Sequence, residues 1–216
     1  SRKEAEDIGQ KISLGFPENK LVPSIPLVSF NKGQEIKINH PAKQAHLYYG
    51  APVIKRGDPD FLSLYLGNYI LGGGGFVSRL TQVIREDRGL AYSVYSYFMP
   101  YLEAGPFQIG VQTKKNQVNQ AKDLIQKTVS DFIKNGPTPS ELKRAKDFMI
   151  GGFPLKLDSN KSILDYVSMM AFYKYPLDYL ETFTKKIDKI TAEEIKSAFQ
   201  RRVDMTKFST VIVGSE

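Results

Sequence analysis

The sequence predicts an α+β domain, a two-layer sandwich in which a largely antiparallel sheet carries helices packed on one face. Three observations lead there. Strand-like and helix-like patterns follow one another in the order β-β-α-α-β-β-α-α-α-α-α-β, the arrangement of a sheet with helices grouped upon it. In "GPFQIGVQT", Phe107, Ile109 and Val111 alternate with Gln108, Gly110 and Gln112, so one face of that strand is buried. Val118, Ala121, Leu124, Ile125, Val129, Phe132 and Ile133 recur at helical spacing and close at Gly136. A chain of 216 residues, 41% of them hydrophobic, has the apolar material for one such core.

Each element has its own signal. The chain opens in helix-like sequence with Ile8, Ile12 and Leu14, and "GFPENKLVPSIP" then reads as an extended linker. "QEIKIN" (34–39) and "AHLYYGAPV" (45–53) are expected strands. Asp58 offers an N-cap with Pro59 at the first helical position, starting a helix through Leu71. Gly72, Gly73, Gly74 and Gly75 end it, and a shorter helix is expected from about Val77 to Asp87. "GLAYSVYSYFM" and "GPFQIGVQT" read as paired strands joined through "PYLEAG". Beyond the 118–136 helix, "TPSE" (138–141) and "TAEE" (191–194) are capping boxes that start two more. Between these lie helices around Ile163–Tyr173 and Asp178–Ile187, and "KFSTVIVG" (207–214) is a closing strand.

Composition narrows the function. The net charge is +7, but the basic residues are scattered and no block of five like charges occurs, so the charge reads as a solvated surface rather than a nucleic-acid footprint. With no cysteine, disulfides, thiolate nucleophiles and cysteine-ligated zinc are excluded. No apolar run approaches the ~18 residues of a membrane span. The start at Ser1, directly in helix-like sequence, reads as a piece of something longer.

The run "LGGGGFVSRLTQVIREDRGLAY" raises the question of what four glycines serve. A phosphate loop would end in Gly-Lys-Ser/Thr, whereas Phe76 and Val77 follow here, and the dinucleotide fingerprint lacks its third glycine and its preceding strand. The only histidines, His40 and His46, are six apart across a strand-turn boundary, not four apart on a helix as in helical zinc sites. No G-x-S-x-G elbow occurs. One constellation remains. Arg85 and Tyr92 stand seven apart around the turn "EDRG", and can turn both side chains to one space. A tyrosine hydroxyl can donate to a developing oxyanion and a guanidinium can grip peptide carbonyls or a carboxylate. Spacing alone favours a plainer reading, a tyrosine packed on a sheet beside an arginine capping a helix C-terminus.

The segments "DPDFLSLYLGNYILGGGGFVSRLTQVIREDRGLAYSVYS", "ELKRAKDFMIGGFPLKLDSNKSILDYVSMMAFYKYPLDYLETF" and "STVIVG" resemble, in order, the second, non-zinc half of pitrilysin/insulinase-type zinc peptidases, the bacterial processing-peptidase-like members above all. The resemblance spans about 58–214. It implies half of a clamshell, whose other half carries H-x-x-E-H zinc chemistry, and a peptide or unfolded polypeptide as substrate. In such halves an arginine and a tyrosine seven apart reach across to the partner's active site; Arg85 and Tyr92 match that pattern. It assigns residues 1–25 to the linker helix and extended segment from the preceding half, and 26–216 to the domain itself. The glycine run lacks the long insertion of a substrate-handling loop, so Gly72 to Gly75 read as a close-packing turn, with substrate contact the other possibility. H-x-x-E-H is absent here, so no metal ligand falls on this chain and zinc is expected on the partner half. A catalytically inactive binding or assembly module of the same fold is the alternative. Exported bacterial relatives suggest a periplasmic or envelope location, against a cytoplasmic one.

Overall fold

The structure, a computed structural model, describes residues 1–17, 24–29 and 32–215. The strands are β1 (Glu35–Asn39), β2 (Gln44–Ile54), β3 (Ala91–Phe98), β4 (Gly105–Lys114) and β5 (Ser209–Ser215), forming one sheet in the order β1-β5-β2-β4-β3. All pairings are antiparallel except β1 with β5, which run parallel. The helices are α1 (Arg2–Leu14), α2 (Phe61–Asn68), α3 (Val118–Asn135), α4 (Pro139–Gly152), α5 (Asn160–Phe172), α6 (Tyr179–Lys189) and α7 (Ala192–Arg202). The expected α+β sandwich is what forms.

Period-two alternation does the sorting. Leu47, Tyr49 and Ala51 of β2, Phe107, Ile109 and Val111 of β4 and Ile212 of β5 all turn to one side and are buried there. Against them lies the apolar stripe of α3, with Ala121, Ile125, Val129 and Phe132 buried. Phe199 of α7 completes the layer, its ring 4.9 Å from Phe132 and roughly edge-on. Each such side chain contributes roughly 1.5–3 kcal/mol by leaving water. Both predicted capping boxes form: Thr138 with Glu141 opens α4, and Thr191 with Glu194 opens α7.

Two helix boundaries differ from the sequence expectation. The helix expected over 58–71 is α-helical only at Phe61–Asn68 and continues as π-helix over Tyr69–Gly73. Asp58 does not cap it. Its carboxylate accepts from the Asp60 N–H at 2.9 Å and from Arg202 at 2.9 Å, while Asp60 takes Arg201 at 2.6 Å and Arg202 at 2.7 Å. The arginines of α7 pull both carboxylates across to a distant element. The second helix, expected from Val77, is broken at extended Ser78 and then runs as π-helix over Thr81–Glu86. Half of the expected proline-rich linker (15–26), residues 18–23, lies outside the described residues. α1 buries none of its residues.

Candidate functional site

The helices cover one sheet face; the other stands open. At its outward positions lie His46, Tyr48, Gly50 and Pro52 of β2, Ser93, Tyr95 and Tyr97 of β3, Pro106, Gln108, Gly110 and Gln112 of β4, Ser209, Val211 and Val213 of β5, and Ile36 and Ile38 of β1. Among these none is acidic, lysine or arginine, in a chain that is 25% charged; among the described residues Lys114, opposite Gln44 at the end of β4, is the one charged side chain that the outward register adds. Tyr48 is 36% exposed and Ile38 47%, so this surface is accessible. At its middle the Tyr95 ring lies across Gly110, where any Cβ would stand 2.5 Å from the phenol carbon. Tyr97 stacks alongside at 5.9 Å and 8°. Burial, then the neighbouring phenols of Tyr48 and Tyr97, push the Tyr95 hydroxyl above its ordinary value, so it stays neutral.

β3 is the edge of this sheet, and Tyr92 sits at an irregularity in it. Ala91 pairs with Thr113 and Ser93 with Gln112, which leaves Tyr92 as the extra residue of a bulge. It is 74% exposed. Arg85 closes the π-helix at the same end of β3. The chain between them folds back through Gly89, at φ 60, with the Leu90 N–H donating to the Ile84 carbonyl at 3.0 Å. The Arg85 side chain is 38% exposed, stands 3.4 Å from Glu86 and lies over the Phe76 ring at 4.8 Å. Among the described residues, no hydrogen bond joins Arg85 to Tyr92. The capping and packing that spacing alone also allowed fall elsewhere: Arg88, not Arg85, donates to a helical carbonyl, that of Val83 at 2.9 Å, and Tyr92 is not packed.

The glycine run divides by position. Gly72 is buried against β3, and a Cβ there would stand 2.7 Å from Leu80 Cδ1 and 2.9 Å from the Ser96 amide, with Ser96 Oγ closer still. Gly73 meets Asn68 Nδ2 at 2.6 Å. Gly74 meets the Tyr69 carbonyl at the same 2.6 Å. Only Gly75, at φ +61, faces open space. The close approach is therefore to a strand as well as to the following helix. Beside it a buried pair holds the contact: Ser96 Oγ donates to Asn68 Oδ1 at 2.7 Å, and Asn68 Nδ2 donates to the Ser96 carbonyl at 3.1 Å.

The histidines do not converge. His40 Nδ1 accepts from the Ala42 N–H at 3.3 Å within a turn, while His46 faces outward on β2. Among the described residues, no three His, Cys, Asp or Glu side chains are grouped so as to hold a metal ion. A catalytic zinc needs three protein ligands, so these residues do not fit one. Sequence reasoning missed the tyrosine face; its trace was the run of small, aromatic and amide residues at the outward positions of β3 and β4.

Comparison with known proteins places this architecture. Residues 2–149 match the family model described as "Peptidase M16 inactive domain". The chain belongs to that family. A Helicobacter pylori protein named "Non-peptidase homolog YmxG" is 30% identical over 93% of this chain and 46% of its own length. A Bacillus subtilis protein described as an uncharacterized zinc protease is 40% identical over 56% of this chain and 29% of its own length. Among solved structures, a peptidase M16 inactive domain from Pseudomonas fluorescens superimposes with a TM-score of 0.95 at 36% identity, covering 100% of this chain and 51% of that one. A protease from Helicobacter pylori shares the fold, with a TM-score of 0.86 at 16% identity, over 99% of this chain and 52% of that one. This M16 inactive domain thus spans less than half the length of these two curated relatives and about half that of the two solved chains. Among the described residues, none of its helices is long and apolar enough to cross a membrane.

Proposed function

We propose that this chain is the zinc-free half of an M16-type peptidase and completes a peptide-binding cavity with a half that bears H-x-x-E-H. The observation that carries this reading is the uncovered sheet face, free of acids and charged only at Lys114 on its rim, with the exposed Tyr92 at a bulge in its edge strand. A face with so little charge accepts extended polypeptide with side chains of either sign, and its tyrosines give broad apolar contact. The partner half would supply the metal. In this chain Tyr92 has the role of donating its hydroxyl to the scissile carbonyl oxygen, and Arg85 that of holding substrate backbone carbonyls. Phe76 braces the Arg85 guanidinium for that task. Gly75, the one open glycine of its run, is the one placed to touch substrate. Residues 1–25 would connect to the preceding half, in keeping with the absence of buried residues in α1.

The experiment is kinetic. In an assembled pair assayed on a peptide, Tyr92→Phe lowers kcat by about 10² to 10³, the usual loss of one oxyanion donor, with zinc content unchanged. Arg85→Ala raises KM and lowers kcat/KM. Full activity of the Tyr92→Phe pair, normalised to folded protein, rejects the assignment. The second reading, a binding or assembly module without catalysis, is favoured by the name of the Helicobacter pylori relative. It is supported instead if no zinc-bearing partner gives hydrolysis while peptide still binds the open face.

A further inference from the structure

The helical layer holds an opening for which the peptidase reading has no use. A cavity of about 320 Å³ lies between α2, the turn after α4, α5 and α6, walled by Phe61, Tyr65, Phe153, Tyr166 and Tyr179. Phe98 closes it at the end of β3 away from Tyr92, six residues on, or about 20 Å along a strand. It is distinct from the open sheet face.

Its charge is what sets it apart from a packing defect. Arg56, on the turn between β2 and α2, lines it with the guanidinium 5.4 Å from the Phe61 ring centre and 5.2 Å from that of Tyr173. Its Nε donates to the Pro100 carbonyl at 3.3 Å, and among the described residues no carboxylate pairs with it. Lys156 also lines the cavity, 3.5 Å from the Tyr65 hydroxyl and likewise without an acid. The one acid in the wall, Asp165, is taken up by Lys161 at 2.6 Å. Burial, first among its causes, pushes the Tyr179 phenol up to about 12, so it remains a neutral donor.

We propose that this cavity binds a small carboxylate with an aromatic or branched apolar body. The carboxylate sits on the two Nη groups of Arg56, in the bidentate geometry a guanidinium offers, and the body lies among the rings. A cation would face two uncompensated positive charges. A neutral apolar molecule would strip water from Arg56 and return no partner. A volume at the small end of ligand pockets suits a molecule the size of 4-phenylbutyrate.

The test titrates the chain with 4-phenylbutyrate and with its uncharged amide, by calorimetry and by NMR of the Met169 methyl and the ring resonances of Tyr179 and Phe183. Saturable binding of the acid is expected, with the amide weaker by about tenfold or more, the worth of hydrogen bonds to a charged group. Arg56→Met should weaken the acid to the level of the amide. The amide comparison needs no variant, so it decides even if Arg56→Met fails to fold. Equal affinity for acid and amide, shifts confined to Tyr48 and Tyr95, or no saturable binding at millimolar concentration each overturn the assignment.

Discussion

Replacing Gly72 by alanine tests whether the glycine run serves packing. The added methyl would stand 2.7 Å from Leu80 Cδ1 and 2.9 Å from the backbone nitrogen of Ser96, with Ser96 Oγ nearer than either. A flexible side-chain tip could move aside; a strand nitrogen cannot move without its ladder. Overpacking of this kind costs about 1–3 kcal/mol. Rotating Ser96 Oγ out of the way breaks its 2.7 Å bond to Asn68, and both residues are almost fully buried. An Asn68 oxygen left unpaired there adds about 1–3 kcal/mol. Together roughly 2–6 kcal/mol is expected, which lowers the Tm of a domain this size by about 4–24 °C. Thermal and urea unfolding of Gly72→Ala measure it. The double variant with Ser96→Ala removes the nearest clashing atom, so it should be less destabilised than the sum of the singles by about 1 kcal/mol. A Gly72→Ala chain that melts with wild type, or strictly additive singles, refutes the packing account. Gly75→Ala gives the contrast: nothing crowds it, and its cost is only the left-handed backbone, about 1–2 kcal/mol.

Burial would push Glu141 up, but the Arg79 fork and the Thr138 backbone and hydroxyl bonds outweigh it and hold the carboxyl at about 2 rather than 4.5. A carboxyl held low stabilises the fold above its ordinary range and loses that contribution as pH falls from 4.5 toward 2, in total on the order of 3 kcal/mol. Urea midpoints across that window should fall more steeply for wild type than for Glu141→Gln; parallel curves would show that the pair contributes nothing. Asp60→Ala should destabilise by about 1 kcal/mol, because it removes the acid of the exposed Arg201 and leaves Arg202 with Asp58 alone, and urea unfolding reads it. Tyr92→Phe should leave the Tm of the isolated chain unchanged, since the side chain is 74% exposed; a clear loss would give the tyrosine a structural role. Metal analysis of the purified chain should find no stoichiometric zinc, and one tightly held ion would overturn the ligand reading.

The sequence by itself determined the elements. Alternation in 105–113 placed β4, the stripe closing at Gly136 placed α3, and two capping boxes placed the starts of α4 and α7. These signals are local, because burial of one face imposes a period on the residues of a single element. The sequence also excluded thiolate chemistry and cysteine-ligated zinc, by its lack of cysteine. Tertiary structure decided what depends on partners far along the chain. Asp58 looks like a helix cap until Arg202, 144 residues away, claims it. The glycines read as a close-packing turn, but that Gly72 packs on Ser96 of β3 is set by the fold. The exposure of Tyr92 turns on a bulge, and the nearly uncharged face on the register of five strands; a shift of one residue would send the tyrosines inward. Register and bulges arise from pairing between elements, and no periodicity within one element encodes them.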